Sequence, residues 1–217
     1  RENLVGSIYS GAVASHNEGV PMMQAMALAF PDQKELADID DQYMFCSDFL
    51  VAPVLEEGAY TREVTFPEGQ WVDLWTGQLI EGGRTLTVTA PQERMPVYLR
   101  AGTATQIQVA PSLELMDTMK DQTRTDALLV TAGDGNRTYW VDEDTALRYR
   151  VSTDNGTGKI VPDHDSDLRI VFAYGVSASD VVVGQAGRLT RLNAMPTDEI
   201  GYYVDPVLNR TVIRLPD

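Results

Sequence analysis

Apolar residues recur every three or four positions at the start of the chain, the spacing of one face of an α-helix. The positions of this face are Leu4, Val5, Ile8, Tyr9, Ala12, Val13 and His16. They predict a helix over residues 2–17, with Gly19 as a left-handed cap at its end. Gly6 and Gly11 would let the helix approach a neighbour closely. Because a lone helix of this length is marginal in water, we expect it to pack on the strands that follow.

Two short apolar runs, Val20–Met26 and Phe49–Val54, follow the helix. Continuous apolar runs of this length are typical of strands that are buried on both faces. The polar segment between them, Glu35–Tyr43, predicts an exposed loop or a short helix. Two such runs cannot enclose a core of their own, so we expect them to complete a core that other parts of a protein provide.

Beyond Phe49 the chain changes to alternating apolar and polar residues with Gly-, Pro-, Asp- and Asn-rich turns between them. The clearest predicted strands are 62–66, 71–75, 86–89, 97–100, 127–131, 138–141, 147–151, 168–173, 181–183 and 212–215. Residues 103–122 follow neither the helix period nor the strand period and are interpreted as a junction. The pattern therefore predicts two antiparallel β-sandwich modules.

The net charge narrows the classes of partner. The chain of 217 residues has 32 acidic and 17 basic side chains, a net charge of −15. Nucleic acids and anionic membranes are bound through basic surfaces, so we expect neither as a partner. Cys46 is the only cysteine, which excludes a disulfide framework and predicts a buried thiol. We expect no signal peptide, favour a bacterial cytoplasmic protein, and find no motif that calls for a cofactor.

Two acidic groups have the composition of metal sites. The first is Asp38, Asp40 and Asp41, and the second is Asp163, His164, Asp165 and Asp167. The first group lacks the regular oxygen spacing and the glycine of a hard-cation loop, so we interpret it as a solvated turn. In a strand, Asp163, Asp165 and Asp167 of the second group would point to the same side, where their negative charges would repel each other. Pro162 favours a loop in water there, and a bound calcium ion is the alternative.

Three tryptophans, Trp71, Trp75 and Trp140, are the candidate sugar-stacking residues. Exposed tryptophan beside carboxylates can cover the apolar face of a sugar ring while the carboxylates accept hydrogen bonds from its hydroxyls. The alternative for each tryptophan is a place in a sandwich core. The sequence has no G-x-S-x-G motif, phosphate-binding loop or dinucleotide-binding motif, and so no catalytic residue of those classes.

Short motifs between residues 19 and 102 have a recognisable order. They are Gly19-x-Pro21-Met22, Phe30-Pro31, Gln42-Tyr43-Met44, Leu50-Val51-Ala52-Pro53-Val54, Phe66-Pro67-Glu68-Gly69-Gln70-Trp71, Asp73-Leu74-Trp75-Thr76-Gly77 and Met95-Pro96-Val97-Tyr98-Leu99-Arg100-Ala101-Gly102. In this order they resemble the C-terminal part of glycoside hydrolase family 31, of the α-glucosidase and α-xylosidase type. Gln24 stands where that family usually has Arg, and Cys46 where it usually has Gly. The side chain of Cys46 would cost little if the backbone there is extended.

The resemblance implies a division of the chain into three parts. Residues 1–48 would be the end of a catalytic (β/α)8 barrel, with the helix as a late barrel helix and Val20–Met26 as its last strand. Residues 49–102 would form a proximal β-domain and residues 103–217 a distal β-sandwich. Without the remainder of the barrel, the first segment would expose an apolar helix face and a strand edge.

The resemblance also implies retaining hydrolysis of α-glucosides or α-xylosides by a pair of aspartates on barrel strands. The W-x-D-M-N-E-like context of the family's nucleophile is absent from this sequence, so we assign no catalytic, cofactor-binding or metal-binding residue to it. The expected partners are the remainder of the barrel, the carbohydrate substrate and a second copy of the chain. The alternatives are a non-catalytic carbohydrate-binding module and an oligomerisation module.

Overall fold

Short β-strands make up most of the regular structure. The computed structural model describes residues 2–113, 124–155, 157–162, 168–183 and 187–216. Its helical elements are a 3-10 turn at Glu2–Leu4, α1 (Val5–Glu18), α2 (Met26–Ala29) and a 3-10 turn at Lys34–Leu36. The prediction of a mainly-β chain is confirmed.

The strands fall into two groups along the chain. The first group is β1 (Met23–Ala25), β2 (Tyr43–Phe45), β3 (Phe49–Val51), β4 (Thr61–Phe66), β5 (Gln70–Asp73), β6 (Leu79–Glu81), β7 (Arg84–Thr89) and β8 (Val97–Arg100). The second group is β9 (Ala104–Val109), β10 (Thr125–Thr131), β11 (Gly135–Trp140), β12 (Ala146–Asp154), β13 (Thr157–Pro162), β14 (Ile170–Tyr174), β15 (Val182–Val183), β16 (Gly187–Arg188), β17 (Gly201–Asp205) and β18 (Arg210–Arg214). Strand β9 lies where the sequence predicted an irregular junction.

These strands form four stacked layers. The two inner layers are a six-stranded sheet, in the order β1-β2-β3-β8-β5-β6, and a five-stranded sheet, in the order β17-β18-β14-β10-β9. The outer layers are the β4-β7 hairpin and the three-stranded sheet β11-β12-β13. Strands β15 and β16 form a separate pair. Pairing is antiparallel as predicted, except that β10 and β14 are parallel.

The main core lies between the two inner sheets. Phe49, Val72 and Leu99 of the six-stranded sheet pack against Leu129 and Phe172 of the five-stranded sheet. A second core lies between the six-stranded sheet and the β4-β7 hairpin, and a third between the five-stranded and the three-stranded sheets. Each inner sheet is therefore covered on both faces.

Burial on both faces explains the sequence of the five-stranded sheet. All five residues of β14 are buried, as are the last five residues of β10. Leu129 points into the main core, whereas its neighbours Leu128 and Val130 point into the third core. Side chains alternate between the two faces of a strand, so a strand buried on both faces reads as a continuous apolar run.

The first helix ends as predicted, but most of the residues that it buries are small and polar. Gly19 adopts φ 72° and donates its N–H to the carbonyl of Ser15 at 3.1 Å. The buried residues of the helix are Ser7, Ser10 and Val13, with Asn3 buried in the turn before it. It packs on β9 and β11, not on the strands that directly follow it, so that part of the prediction is wrong.

The two predicted glycine contacts explain this close packing. A methyl group on Gly6 would lie 2.2 Å from the Tyr139 hydroxyl oxygen, and one on Gly11 would lie 3.0 Å from Cys46 Sγ. Small residues on the inner side thus let the helix backbone approach β11 and the loop after β2. The predicted close approach at Gly6 and Gly11 is confirmed.

The edge strand β1 lies within the predicted barrel strand Val20–Met26. Residues 23–25 pair antiparallel with Tyr43–Phe45 at the edge of the six-stranded sheet. The place of this segment in a barrel stays a prediction. The six-stranded sheet contains strands from both sides of the boundary predicted at 48/49. The main core contains residues from both sides of the boundary predicted at 102/103. The three-part division of the chain stays a prediction.

Candidate functional site

A polar groove of about 280 Å³ opens between the first helix, the loop after β2 and strand β11. Asp48, Arg100, Arg137, Gln24 and Trp140 are among its lining residues, and we call it the Asp48 groove. Strand β11 is held to the helix there, because the Trp140 backbone N–H donates to Ser10 Oγ at 2.8 Å. The groove therefore brings together segments that are about a hundred residues apart in the sequence.

Asp48 is a buried carboxylate at the base of this groove, with 5% of its surface exposed. Its Oδ1 accepts hydrogen bonds from Arg137 Nε at 2.5 Å and from Thr103 Oγ1 at 3.3 Å. Burial raises the pKa of the Asp48 carboxyl, and the nearby Arg137 opposes that rise without cancelling it. The carboxylate is thus paired on one oxygen only.

Three polar groups of the groove lack a hydrogen-bond partner within the described residues. They are Asp48 Oδ2, Gln24 Oε1 and the guanidinium of Arg100. Gln24 is 7% exposed and uses only its amide N–H, toward Ser47 Oγ at 3.2 Å. The Arg100 guanidinium lies 5.3 Å from the centre of the Phe30 ring. Arg100 is exposed to solvent, whereas Asp48 and Gln24 are buried. Buried polar atoms are normally paired, so the open oxygens of Asp48 and Gln24 require an explanation.

The loop that carries Asp48 is conformationally strained. Cys46 and Ser47 adopt φ 49° and φ 62°, in the left-handed region that disfavours residues with a Cβ. The condition of an extended backbone at Cys46 is therefore not met. The Cys46 thiol donates to the Ser7 carbonyl at 3.5 Å, and burial raises its pKa to about 12. The side chain that was predicted to be buried is half-buried.

The opposite side of the first helix is apolar and faces solvent. Val5 is 45% exposed and Tyr9 is 47% exposed, with Ala12 and His16 also exposed. We call these four residues the outer stripe. They belong to the apolar face that the sequence predicted, so the expected exposed helix face is confirmed. Met23 on the edge strand β1 is 57% exposed, which adds the expected exposed strand edge.

The structure separates the three candidate tryptophans. Trp71 is fully buried, contacts Phe30 edge-on and donates its indole N–H to the Pro67 carbonyl at 2.9 Å. A buried ring cannot stack on a sugar, so Trp71 serves the core instead. Trp75 is half-buried, and Arg94 lies 5.8 Å from its ring centre. Trp140 is half-buried and lines the Asp48 groove.

The acidic groups do not form a described metal site. Asp38, Asp40 and Asp41 are exposed beside a groove of about 530 Å³, and Asp41 pairs with Arg62 at 2.9 Å. Within the part of the chain that the structure describes, no three His, Cys, Asp or Glu residues cluster to hold a metal ion. The second acidic group, residues 163–167, lies outside the described residues. No described helix is long and apolar enough to cross a membrane.

The sequence analysis missed the charged residues of the groove. Asp48, Arg100 and Arg137 lie on three separate elements, and no spacing rule connects them. The available signal was an aspartate directly before the apolar run 49–54, a place where an unpaired charge would be costly. That signal calls for a buried cation nearby but does not identify Arg137.

Comparisons with known proteins support the resemblance. Residues 19–104 match the profile of the glycosyl hydrolase family 31 C-terminal domain. An isomaltosyltransferase from Sporosarcina globispora is 30% identical over 225 residues, which cover 99% of this chain and 20% of that protein. An α-xylosidase from Saccharolobus solfataricus is 34% identical over 103 residues, covering 47% of this chain and 14% of that protein.

The fold is shared with larger enzymes of known structure. A cycloalternan-forming enzyme from Listeria monocytogenes, determined with a pentasaccharide substrate, matches with a TM-score of 0.81 and 26% identity. The match covers 98% of this chain and 21% of that enzyme. The chain thus spans about a fifth of the relatives that it matches over nearly its whole length. From these matches, the chain belongs to glycosyl hydrolase family 31, whose C-terminal domain corresponds to residues 19–104.

Proposed function

We propose that this chain is the C-terminal β-region of a retaining α-glycosidase that acts on α-glucosides or α-xylosides. Membership of the family supports this proposal, as do relatives named isomaltosyltransferase and α-xylosidase. Retaining hydrolysis needs two carboxyl groups about 5–5.5 Å apart across the scissile bond. We assign neither of them to this chain, because its sequence lacks the W-x-D-M-N-E-like context of the family's nucleophile.

The role that we assign to the chain is to brace a catalytic barrel. The observation that carries this role is the orientation of the first helix, which buries small polar residues and exposes Val5 and Tyr9. A helix that stands alone on a protein normally turns its apolar side inward. The outer stripe and the edge strand β1 are therefore the surface on which the barrel would pack. In this arrangement residues 1–48 would end the barrel, residues 49–102 would form the proximal β-domain and residues 103–217 the distal β-sandwich.

A double substitution tests this role. Val5→Ser with Tyr9→Ser should change the unfolding free energy of the 217-residue chain by less than about 0.5 kcal/mol, because both side chains are exposed there. In the complete enzyme the same substitutions should cost about 3 kcal/mol, since two apolar side chains would lose their burial. Thermal unfolding measures the change in stability of both proteins. The hydrolysis of aryl α-glucosides and α-xylosides measures the activity of the complete enzyme.

Tyr60→Ser is the matched control, because Tyr60 is 60% exposed and lies before the β4-β7 hairpin. It should leave both the chain and the complete enzyme unchanged. Equal small effects of the double substitution in both proteins would show that the outer stripe stays in water, and the bracing role would have to be abandoned.

A second candidate function is non-catalytic carbohydrate binding. The observation that favours it is the position of Trp140, half-exposed at the wall of a groove with unpaired hydrogen-bonding groups. Binding of this kind is compatible with bracing, since the two functions would use opposite sides of the first helix. An oligomerisation role would instead use the outer stripe, and light scattering of the complete enzyme would give the mass that separates it from bracing.

A further inference from the structure

The Asp48 groove combines acceptors and donors that the described residues leave unpaired. Asp48 Oδ2 and Gln24 Oε1 can each accept a hydrogen bond, and the Arg100 guanidinium can donate several. Asp48 and Gln24 are both more than nine-tenths buried, so open solvent does not surround these atoms. A ligand that both donates and accepts hydrogen bonds would satisfy them together.

We propose that the Asp48 groove binds one ring of a neutral sugar. Its hydroxyl groups donate to Asp48 Oδ2 and Gln24 Oε1 and accept from the Arg100 guanidinium, while its apolar face packs on Trp140. The ligand class rests on the proposed function, because the substrates of that enzyme are carbohydrates. The location of the site rests on the groove itself.

The charge of the groove favours a neutral ligand. Its charged lining residues are Glu18, Asp48, Arg100 and Arg137, two acidic and two basic. A phosphate or carboxylate would meet as much repulsion as attraction there, and so would a cation. Hydroxyl groups hydrogen bond to either kind of charge without adding one, and hydrogen bonds to charged groups are stronger than those between neutral groups.

The size of the groove favours a single ring. Its volume of about 280 Å³ lies just below the range of about 300–1,000 Å³ that holds drug-sized ligands. A longer oligosaccharide would extend past the helix into solvent. The half-exposed Trp140 supplies the aromatic wall that sugar rings commonly need in addition to hydrogen bonds.

Gln24 lines the groove together with Asp48, so a substitution at position 24 can test the site. Gln24 holds Ser47 through its amide and leaves the second oxygen of Asp48 open. The raised pKa of the Asp48 carboxyl agrees with a charge that Arg137 compensates only in part. An arginine at position 24 would reach toward this oxygen and occupy the groove. Gln24→Arg should therefore preserve or raise stability while it removes the site.

Sugar titrations of the 217-residue chain and three variants test the proposal. Methyl α-glucoside, xylose and maltose are titrated while tryptophan fluorescence and heat are recorded. We expect saturable binding of at least one sugar, weakened roughly tenfold by Trp140→Ala because the stacking surface is lost. Gln24→Arg should abolish binding in a protein that melts at or above the wild-type temperature. Trp75→Ala, which removes a half-buried tryptophan outside the groove, should leave the affinity unchanged.

Two results would overturn the proposal. If none of the three sugars binds, another segment of the enzyme forms the hydrogen bonds to the unpaired groups of Asp48, Gln24 and Arg100. If binding survives both Trp140→Ala and Gln24→Arg, the sugar sits elsewhere. Neither result bears on the bracing role, which thermal unfolding of the outer-stripe variants tests without any sugar.

Discussion

The five-stranded sheet and the first helix place their apolar residues in opposite ways. In the sheet, β10 and β14 bury leucine, valine and phenylalanine on both faces. In the helix and the turn before it, Asn3, Ser7, Ser10 and Val13 lie inward, while Val5 and Tyr9 lie outward. Both segments belong to one chain under one solvent, so the hydrophobic effect alone does not explain the difference.

The difference shows that the two regions have different neighbours. Both faces of the five-stranded sheet are covered within this chain, one by the six-stranded sheet and the other by the three-stranded sheet. Only one side of the first helix is covered by this chain. Exposed apolar surface concentrated on one element is typical of an interaction site, and this supports our proposal that the outer stripe contacts a barrel.

The sharpest test of the self-contained sheet is Phe172→Ala. Phe172 is fully buried in the main core, so removing its ring leaves a cavity between the two inner sheets. The expected loss is about 3–5 kcal/mol in unfolding free energy, measured by urea denaturation. Phe172→Leu keeps most of the volume and should cost much less. A small loss for Phe172→Ala would mean that this core is loosely packed and that the contrast with the helix is overstated.

The second test concerns the charged contact between β11 and the loop after β2. Arg137→Met would leave the buried Asp48 carboxylate without its main partner, which should cost about 3 kcal/mol at pH 7. Burial already raises the pKa of Asp48 in the folded chain, and this substitution would raise it further.

The cost of Arg137→Met should depend on pH in a defined direction. The folded state binds the Asp48 proton more tightly than the unfolded state, whose pKa is about 3.9. The contribution of the Asp48 carboxyl to stability is therefore greatest below that pH and is lost as pH rises through the pKa of the folded chain. Urea denaturation at several pH values measures this loss, and Arg137→Met with Asp48→Asn is the control that removes it. A cost that does not change with pH would show that Asp48 is uncharged or solvated.

The third test concerns the contact between the two inner sheets at a turn. Gly77 adopts φ 67°, and a methyl group there would lie 1.9 Å from the Leu208 carbonyl oxygen. Gly58 adopts φ 74° but has open space around it. Gly58→Ala should cost about 1 kcal/mol from the backbone alone, and Gly77→Ala about 2 kcal/mol or more because the Leu208 turn must move. Equal costs in thermal unfolding would indicate that the two modules do not hold each other at this point.

Local patterns in the sequence predicted much of this fold. The alternation beyond Phe49 indicated antiparallel strands, and Gly19 indicated the end of the helix. Both signals act over a few residues, and the geometry they report is fixed by the backbone itself. The strand β9 (Ala104–Val109) was missed, although Gln106 and Gln108 alternate there with the buried Ile107 and Val109.

The orientation of the helix and the Asp48 groove could not be predicted in the same way. Periodicity locates the apolar face of a helix but does not tell whether this chain or another surface covers it. Asp48 and Arg137 are 89 positions apart and belong to two different sheets, and composition and spacing do not encode the contact between them. Gly6 and Gly11 were the available clue, because close packing on their side leaves the apolar side outward.

The most direct test of the central claim is the accessibility of position 9. Tyr9→Cys would place a thiol on the outer stripe, and the native Cys46 thiol should stay unlabelled because burial raises its pKa to about 12. Labelling with a maleimide at pH 7 is followed by mass spectrometry of the peptide that contains position 9, with Tyr60→Cys as the exposed control. We expect fast labelling in the 217-residue chain and labelling at least about tenfold slower in the complete enzyme, because the barrel would cover the stripe. Equal rates in both proteins would contradict the account.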